Sequence, residues 1–363
     1  MNRHINIPIF IPHLGCPFDC IFCNQKKISS TINPPEPSDV GEIIERHLKT
    51  IAVDSEIEVA FFGGSFTAID EDLQIAYLEA VKPYLKSGDI SSIRISTRPD
   101  FIDKSILELL NQYGVKTIEL GVQSLSDEVL KKSCRAYKKD DVFKAVHLIK
   151  AHNFNLGIQL MIGLPGDNYE LDMLTTKETI TLLPDMVRIY PTLVIRDTDL
   201  AMTYDKGLYE PLSLDEAVTI TKHMYLQFRV YDINVIRMGL YPSEDLLSDD
   251  TLIAGPFHSA FGELVMQEIF YDQAEWLVES VKDKAHFTNR LYLYVNPRDI
   301  SKMIGNKKQN ISKLKKSLQI EEIIVKSWDS LEQNSIGISA DAIYPEFILT
   351  REEYLEILPA TLV

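Results

Sequence analysis

Short apolar segments alternate with amphipathic segments along the first half of the chain, and this alternation constrains the fold more than any other feature. Strands are predicted at residues 5–12, 57–62, 93–97, 117–122, 156–162 and 186–190. Helices are predicted at residues 40–50, 73–85, 104–112, 141–152 and 171–183. Six strands separated by helices predict a parallel sheet with right-handed crossovers. The pattern leaves an open doubly wound sheet and a partial barrel as alternatives, but both place ligands at the carboxyl ends of the strands.

Composition indicates a cytoplasmic protein. No apolar run is long enough for a membrane span, and the first ten residues lack the apolar stretch and cleavage site of a signal peptide. The formal net charge of −16 argues against indiscriminate binding to nucleic acid, because such binding needs a positive field. One stretch is an exception: residues 290–326 contain nine Lys and Arg against three acidic residues, a net charge of +6.

The strongest chemical signal is the spacing C-x3-C-x2-C formed by Cys16, Cys20 and Cys23, directly after the first predicted strand. Three clustered thiols in a reducing compartment indicate a metal site rather than a disulfide framework. Three thiolates can bind three irons of a 4Fe–4S cluster and leave the fourth iron open for S-adenosylmethionine (SAM). The alternative is a structural zinc site that His13 would complete. Cys134 stands alone and is expected to be structural.

This spacing, with Phe22 before the third cysteine, resembles the radical SAM superfamily. The second predicted strand ends in Phe-Phe-Gly-Gly-Ser-Phe-Thr, which is similar to the glycine motif whose backbone receives the SAM amino group. Further motifs follow in order: STRPD at 96–100, ELGVQS at 119–124, MIGLPG at 161–166, IYPTLV at 189–194 and RMGL at 237–240. They resemble the radical SAM half of the Elongator catalytic subunit and oxygen-independent coproporphyrinogen oxidase. The resemblance implies an α/β fold, a partial (β/α)6 TIM-type barrel.

The resemblance also implies a set of cofactor contacts. Residues matching Gln123 and Arg135 lie near the SAM ribose and carboxylate, and an arginine can pair with a carboxylate through two hydrogen bonds. Residues matching Gly163 and Leu164 lie near the adenine. The predicted cofactor-binding residues are Phe22, Gly63, Gly64, Ser96, Gln123, Arg135, Gly163 and Leu164, and the predicted cluster ligands are Cys16, Cys20 and Cys23. Glycine at position 64 is expected to let the backbone approach the SAM amino group.

Two features depart from Elongator. Its first two cysteines are much farther apart than the three residues found here, and the sequence from Leu291 onward does not resemble its acetyltransferase domain. An acetyl-CoA-dependent reaction is therefore not implied.

The basic stretch contains the sequence Ile-Gly-Asn-Lys-Lys-Gln-Asn-Ile at residues 304–311. It resembles the I-G-x-x-G-x-x-I core of KH RNA-binding domains, whose loop clamps the backbone of four nucleotides. Gly305 matches the first glycine, and Lys308 stands where the second is expected. We expect this loop between a strand and a basic helix at 312–318. The predicted RNA contacts are Gly305, Lys307, Lys308, Lys313 and Lys316; the alternative is a solvated lysine-rich face.

These observations predict four segments and one leading function. The segments are a radical SAM partial barrel at 1–205, an Elongator-like extension at 206–287, a small α+β KH-like module at 288–330 and a tail at 331–363 that packs on the core. The leading hypothesis is a radical SAM enzyme that modifies tRNA or rRNA and takes electrons from a ferredoxin or flavodoxin. No membrane or DNA partner is expected. The alternatives are a radical SAM enzyme acting on a small molecule or tetrapyrrole, and a non-catalytic cluster- and RNA-binding regulator.

Overall fold

The computed structural model describes residues 4–12, 14–16, 20–24, 33–52, 54–240, 251–283 and 289–358. Two compact units make up the chain: unit 1 comprises Met1–Ser213 and Ile233–Phe257, and unit 2 comprises Leu214–Asp232 and His258–Val363. The four predicted segments follow other boundaries and stay predictions. Within the described ranges, no helix combines the length and the apolarity that crossing a bilayer requires.

Unit 1 contains a parallel sheet of seven strands. Its strands are β1 (His4–Ile11), β2 (Glu56–Gly63), β3 (Ser92–Thr97), β4 (Val115–Gln123), β5 (Asn155–Ile162), β6 (Met186–Pro191) and β8 (Asn234–Met238). They lie side by side in chain order, and each pairs in parallel with the next. A separate antiparallel pair joins β7 (Val194–Ile195) to β9 (Leu252–Ala254).

Helices connect these strands. They are α1 (Val40–Leu48), α2 (Glu71–Ser87), α3 (Lys104–Gln112), α4 (Asp127–Lys132), α5 (Lys139–Ala151), α6 (Tyr169–Thr181) and α7 (Asp199–Asp205). Five of them begin after a side chain that accepts a hydrogen bond from a backbone N–H of the first turn: Asp70, Asp103, Ser126, Asn168 and Thr198. In unit 1 the predicted strands and helices agree with those observed to within two residues at each end.

The sheet is strongly curved. In a flat sheet β2 and β6 would lie about 19 Å apart, because neighbouring strands are separated by about 4.8 Å. Yet the guanidinium carbon of Arg188 on β6 lies 5.3 Å from the ring centroid of Phe62 on β2. Side chains of these strands therefore meet across a concave face, which confirms the predicted partial barrel.

The sheet has one strand more than the six predicted. The additional strand, β8, has the sequence Asn-Val-Ile-Arg-Met, and none of its residues is fully buried. It lies at the edge of the sheet, so it needs no continuous apolar run, and the pattern that revealed the other six strands is missing from it.

Unit 2 is an α+β structure. Its helices are α8 (Leu214–Val230), α9 (Phe261–Val281), α10 (Ile300–Ile304), α11 (Gln309–Leu318) and α12 (Arg351–Glu356). Its sheet has the order β11 (Glu322–Ser327), β10 (Arg290–Val295), β12 (Ile336–Ser339) and β13 (Phe347–Leu349). The β10–β11 pair is parallel, and the other two pairs are antiparallel.

The structure corrects the expected position of the basic loop. Residues 304–311 were expected to lie between a strand and a helix, but they join α10 to α11. The side chain of Asn296 accepts a hydrogen bond from the N–H of Arg298 and starts a short turn, from which α10 follows. A five-residue helix is too short to produce a periodic apolar pattern, so the sequence did not reveal it.

Candidate active site

The cysteine loop leaves the carboxyl end of β1 and is held against the residues that follow β2. The N–H of Gly64 donates to the carbonyl of Ile11 at 3.0 Å, and the N–H of Ser65 donates to the carbonyl of Leu14 at 2.9 Å. The cysteine loop and the glycine motif, separated by about 50 residues in sequence, are thereby joined at one end of the sheet.

Two glycines make this close approach possible. A Cβ atom at Gly64 would lie 1.9 Å from the carbonyl oxygen of Leu14, and one at Gly15 would lie 2.3 Å from that of Ser65. Gly15 also has a φ of +72°, a conformation that favours glycine. The sequence predicted that Gly64 leaves room for a ligand; the structure shows that it leaves room for the backbone of the cysteine loop.

The three clustered cysteines are partly buried, and none of the four cysteines forms a disulfide. The N–H of Cys23 donates to the carbonyl of Cys20 at 2.9 Å in a tight turn. Ile21 anchors this turn: its N–H donates to the carbonyl of Ser133 at 3.3 Å, and its carbonyl accepts from the N–H of Leu200 at 2.8 Å. Residues 17–19 and His13, the suggested fourth zinc ligand, lie outside the described residues.

Arg135 contacts a cysteine directly. Its Nη1 donates to the Sγ of Cys20 at 3.1 Å, and its Nη2 donates to the carbonyl of Gly121 and to the Tyr137 hydroxyl. The Tyr137 hydroxyl in turn donates to the carbonyls of Gly121 and Val122, and burial raises the pKa of Tyr137, so it remains a neutral donor. Arg135 is 9% exposed and was predicted to reach the SAM carboxylate; its contact with Cys20 was not predicted.

Gln123 lies where the pairing of β4 with β5 is irregular. The register shifts between Gly121 and Gln123, and Gln123 has a φ of +66°. Irregularities of this kind re-aim side chains beside active sites. The Oε1 of Gln123 accepts a hydrogen bond from the Nε2 of Gln159 at 3.2 Å, so its amide is oriented from the neighbouring strand.

The predicted adenine contacts are largely covered by protein. Leu164 is 2% exposed and packs with Val129 and Met161, while Phe22 covers the same cluster. Gly163 has a φ of +71°, and its carbonyl accepts from the Tyr209 hydroxyl at 2.7 Å. Phe22 therefore joins the cysteine loop to the loop after β5, a role in addition to the predicted cofactor contact.

Hydroxyl groups that the sequence analysis did not single out connect the glycine motif to β3. The hydroxyl of Thr97 lies 3.0 Å from that of Ser65 and 2.6 Å from that of Thr67. Thr67 also donates to the carbonyl of Phe101 at 2.7 Å. Ser96, a predicted cofactor contact, precedes Thr97 on β3 and is half-buried.

A second unpredicted network crosses the concave face. Arg94 pairs with Glu58 at 2.7 Å and with Glu119 at 2.6 Å, and Arg188 pairs with Glu119 at 2.8 Å. A cavity of about 800 Å³ extends from this network past the amino ends of the strands, away from the cysteine loop. The signal in the sequence was a charged residue inside each of four apolar strands, because an uncompensated buried charge is too costly to keep.

A third unpredicted group lies in the loop after β5. The carboxyl groups of Asp167 and Asp172 are neighbours, and Asp172 is 2% exposed. Burial raises the pKa of Asp167 to about 6, and burial together with Asp167 raises the pKa of Asp172 well above its usual value. Near neutral pH the pair therefore tends to share a proton beside Gly163 and Leu164.

In unit 2 the basic loop has an unusual backbone. Gly305, Lys307 and Lys308 have φ values of +76°, +49° and +64°. The N–H of Lys308 donates to the carbonyl of Gly305 at 3.1 Å, so the turn closes although a lysine replaces the second glycine. Left-handed backbone at non-glycine residues is costly and is retained mainly where function needs it. Both lysine side chains are exposed.

The other two predicted RNA contacts differ from each other. Lys313 pairs with Glu268 at 2.6 Å and lies 5.4 Å from the ring centroid of Tyr271, so much of its charge is compensated. Lys316 is exposed on the same helix. The basic surface available to phosphate is therefore centred on the loop and the exposed side of α11.

The cysteine residues fit an iron–sulfur cluster. The three thiols share one loop, and the guanidinium of Arg135 next to Cys20 offsets negative charge that cluster thiolates bring. Within the described ranges, no three His, Cys, Asp or Glu side chains are grouped around one metal-ion position. In a 4Fe–4S cluster each thiolate binds a different iron, so the cysteines need not converge on a single ion.

Comparison with protein families gives two matches that follow each other along the chain. The profile of the Radical SAM superfamily matches residues 10–176, and that of the Radical SAM C-terminal domain matches residues 184–270. The first match contains the cysteine loop, the glycine motif, Gln123, Arg135 and Gly163.

Two similar proteins match this chain over only part of their own length. A tRNA uridine(34) acetyltransferase of Methanocaldococcus jannaschii is 30% identical over 189 residues, which are 47% of this chain and 35% of that protein. The oxygen-independent coproporphyrinogen-III oxidase-like protein HemZ of Bacillus subtilis is 27% identical over 256 residues, which are 64% of this chain and 49% of that protein. The chain thus spans half or less of the length of either relative.

A solved structure has a similar fold. The archaeal Elp3 of Methanocaldococcus infernus, with an N-terminal deletion, superposes with a TM-score of 0.59 at 23% sequence identity. The superposition covers 74% of this chain and 63% of that one.

Proposed function

Because the chain belongs to the radical SAM superfamily, we propose that it modifies RNA by radical chemistry, with a tRNA or an rRNA as its substrate. It is an enzyme whose cofactors are a 4Fe–4S cluster and SAM. When bound, the cluster supplies the electron that cleaves SAM to methionine and a 5′-deoxyadenosyl radical.

The residues at the carboxyl end of the sheet would bind and orient these cofactors. Cys16, Cys20 and Cys23 would hold the cluster, and the glycine motif would fix the position of their loop through its hydrogen bonds to Ile11 and Leu14. Arg135 orients Cys20 and neutralises charge beside it. The tight packing of Phe22 on the loop after β5 would limit the access of water to the radical.

The positive charge of the basic loop is the main observation that supports RNA as the substrate. Lys307 and Lys308 are exposed on a left-handed turn in a segment of net charge +6, within a chain of net charge −16. Local positive charge in an acidic protein favours a specific phosphate-rich partner over nonspecific binding. The name of one group of similar proteins, the tRNA uridine(34) acetyltransferases, agrees with a tRNA substrate. A ferredoxin or flavodoxin would supply the electron.

The concave face argues against a tetrapyrrole, the main alternative substrate. The carboxylates of a tetrapyrrole need unpaired cations, but Arg94 and Arg188 are already paired with Glu58 and Glu119. Acetyl transfer is left out of the proposal, because the match to the acetyltransferase covers 35% of that protein.

The direct test compares nucleosides and SAM cleavage. Protein reconstituted without oxygen, with a reductant and SAM, should form 5′-deoxyadenosine, and tRNA from cells that lack the enzyme should increase the rate. Mass spectrometry should then find one nucleoside in wild-type RNA that is missing from the deletion strain. Identical nucleoside profiles, together with no effect of tRNA or rRNA on SAM cleavage, would reject RNA as the substrate.

A further inference from the structure

Two phenylalanine rings form a pair on the concave face of unit 1. Phe10 on β1 and Phe62 on β2 are register partners, and their ring centroids lie 6.2 Å apart with the planes tilted by 43°. Ile9 and Ile11, which point to the opposite face, are buried, whereas Phe10 is 37% exposed. An exposed phenylalanine alone is ordinary, but one that packs against a second ring enlarges the aromatic surface that a ligand can contact.

A fixed guanidinium group lies next to this pair. The guanidinium carbon of Arg188 lies 5.3 Å from the ring centroid of Phe62. Glu119 pairs with Arg188 at 2.8 Å, and Arg188 also donates to the Tyr190 hydroxyl at 3.3 Å. Because its charge is already paired with Glu119, Arg188 is suited to stack on a planar ligand rather than to bind an anionic one.

Polar groups adjoin the same surface. Gln159 is the register partner of Arg188, so its amide lies on the same concave face, where it is half-buried. Its Nε2 donates to Gln123 at 3.2 Å, which fixes the orientation of the amide, and its carbonyl oxygen can accept a further hydrogen bond. The hydroxyl of Tyr190 and the amide of Gln159 can thus contact the polar edge of a planar ligand.

We propose that Phe10, Phe62, Arg188 and Gln159, the aromatic platform, bind a single unstacked nucleobase of the substrate RNA. Proteins that bind single-stranded RNA stack unpaired bases on aromatic rings and arginine planes and contact the base edges with polar groups. The platform lies beside the cofactor residues, since Phe62 immediately precedes Gly63 and Phe10 lies one residue before the end of β1, the strand that leads into the cysteine loop. This inference rests on the proposed function and adds to it where the base is held.

An enzyme that reacts with a base must first hold that base outside its stack. The affinity for RNA and the placement of the reacting base can therefore depend on different residues. Phosphate contacts at the basic loop would supply most of the affinity for RNA, whereas the platform would place one base for reaction. Loss of the platform should therefore reduce the RNA-dependent reaction far more than it reduces RNA binding.

The test uses Phe10→Leu and Phe62→Leu in the reconstituted full-length protein. The probe is total tRNA from a deletion strain, and the readouts are its dissociation constant and the tRNA-dependent rate of 5′-deoxyadenosine formation. Phe143→Leu is the matched control, because Phe143 is 36% exposed on α5 and lies outside the platform. Phe62→Tyr keeps the aromatic ring and should rescue the reaction. The visible absorbance of the cluster reports whether each variant is folded.

We expect each leucine variant to lose about tenfold or more of the tRNA-dependent rate, while the dissociation constant changes by less than about threefold. Phe143→Leu and Phe62→Tyr should retain both. A full tRNA-dependent rate in Phe10→Leu, which removes the more exposed ring of the pair, would overturn the platform and leave the proposed function intact. If tRNA does not bind or stimulate the wild-type protein, the proposed RNA substrate and the nucleobase site are both rejected.

Discussion

The carboxyl end of the barrel in unit 1 and the basic loop in unit 2 carry the two halves of the proposed function, and they are built in different ways. At the barrel end, hydrogen bonds join groups from distant parts of the chain, such as Gly64 to Ile11 and Arg135 to Cys20. The basic loop instead consists of consecutive residues, and its two central lysines extend into solvent. The cofactor site therefore depends on packing, whereas RNA binding depends on charge.

Substitutions at the barrel end and in the basic loop should therefore have different effects. A substitution that separates two backbones at the barrel end should abolish the site, because the neighbouring loops have no alternative position. A substitution in the basic loop should instead produce a graded, salt-dependent loss, since counterions screen exposed charges.

The largest effect is expected for Gly64→Val. The new Cβ would lie 1.9 Å from the carbonyl oxygen of Leu14, so the cysteine loop would have to leave the carboxyl end of β2. We expect iron incorporation to fall by about tenfold or more, measured as iron and sulfide per chain after anaerobic reconstitution.

Variants of Gly207 and of the four cysteines are the controls for Gly64→Val. Gly207→Val places a side chain at a φ of +68°, a strain that Gly64→Val does not add, but no atom lies within 4 Å of its Cβ, so it should retain the cluster. Replacing Cys16, Cys20 and Cys23 by Ala should remove all iron, whereas Cys134→Ala should remove none. A normal iron content in Gly64→Val would show that the packing of the two loops does not determine the site.

Features formed by consecutive residues could be predicted from the sequence, whereas contacts between distant residues could not. The cysteine loop and the six strands could be predicted because apolar runs and the C-x3-C-x2-C spacing are local patterns. The network of Glu58, Arg94, Glu119 and Arg188 could not, since its partners lie up to 69 residues apart in the sequence and meet only when the strands pair into a sheet. The contact of Gly64 with the cysteine loop was missed for the same reason, as its neighbour is a backbone atom of a distant loop, and its contact with SAM stays a prediction.

The next largest effect is expected for the double variant Lys307→Asp and Lys308→Asp. It reverses the charge of the two exposed lysines of the basic loop, so affinity for tRNA should fall by about tenfold or more at low salt. The salt dependence of binding should also become shallower, because fewer phosphate contacts release counterions. Fluorescence anisotropy over a salt series measures both quantities.

Lys313→Asp provides the contrast within the same segment. Lys313 already pairs with Glu268 at 2.6 Å, so its replacement should weaken tRNA binding less than the loop variant does. Equal losses in both variants would mean that the overall charge of α11, and not the loop, attracts RNA. Iron content should be unchanged in each, because both substitutions lie outside unit 1.

A moderate effect is expected for Arg135→Gln. The side chain of Arg135 donates to Cys20, and hydrogen bonds to cluster sulfurs raise the reduction potential. Loss of the positive charge should shift the potential of the cluster to more negative values while the cluster still assembles. Potentiometric titration followed by electron paramagnetic resonance measures the shift, and Arg46→Gln on α1, which removes an exposed arginine that pairs with Glu42, is the control. An unchanged potential with weaker SAM binding would instead support the role first predicted for Arg135, contact with the SAM carboxylate.

The smallest effect concerns stability and comes from Asp172→Asn beside the predicted adenine contacts. The folded protein holds a proton between Asp167 and Asp172 that unfolded carboxyl groups release at a pH near 4. Carboxyl groups whose pKa is raised by folding stabilise the protein at low pH, and this contribution is lost as the pH rises through about 6 and above. The wild type should therefore lose stability between pH 5 and pH 8, on the order of 1 kcal/mol.

Asp172→Asn keeps a hydrogen bond without the second charge, so its unfolding free energy should change less over this range, as measured by urea denaturation at each pH. Asp54→Asn, in an exposed loop, should retain the wild-type slope, and a wild-type slope in Asp172→Asn would show that the two carboxyl groups do not share a proton.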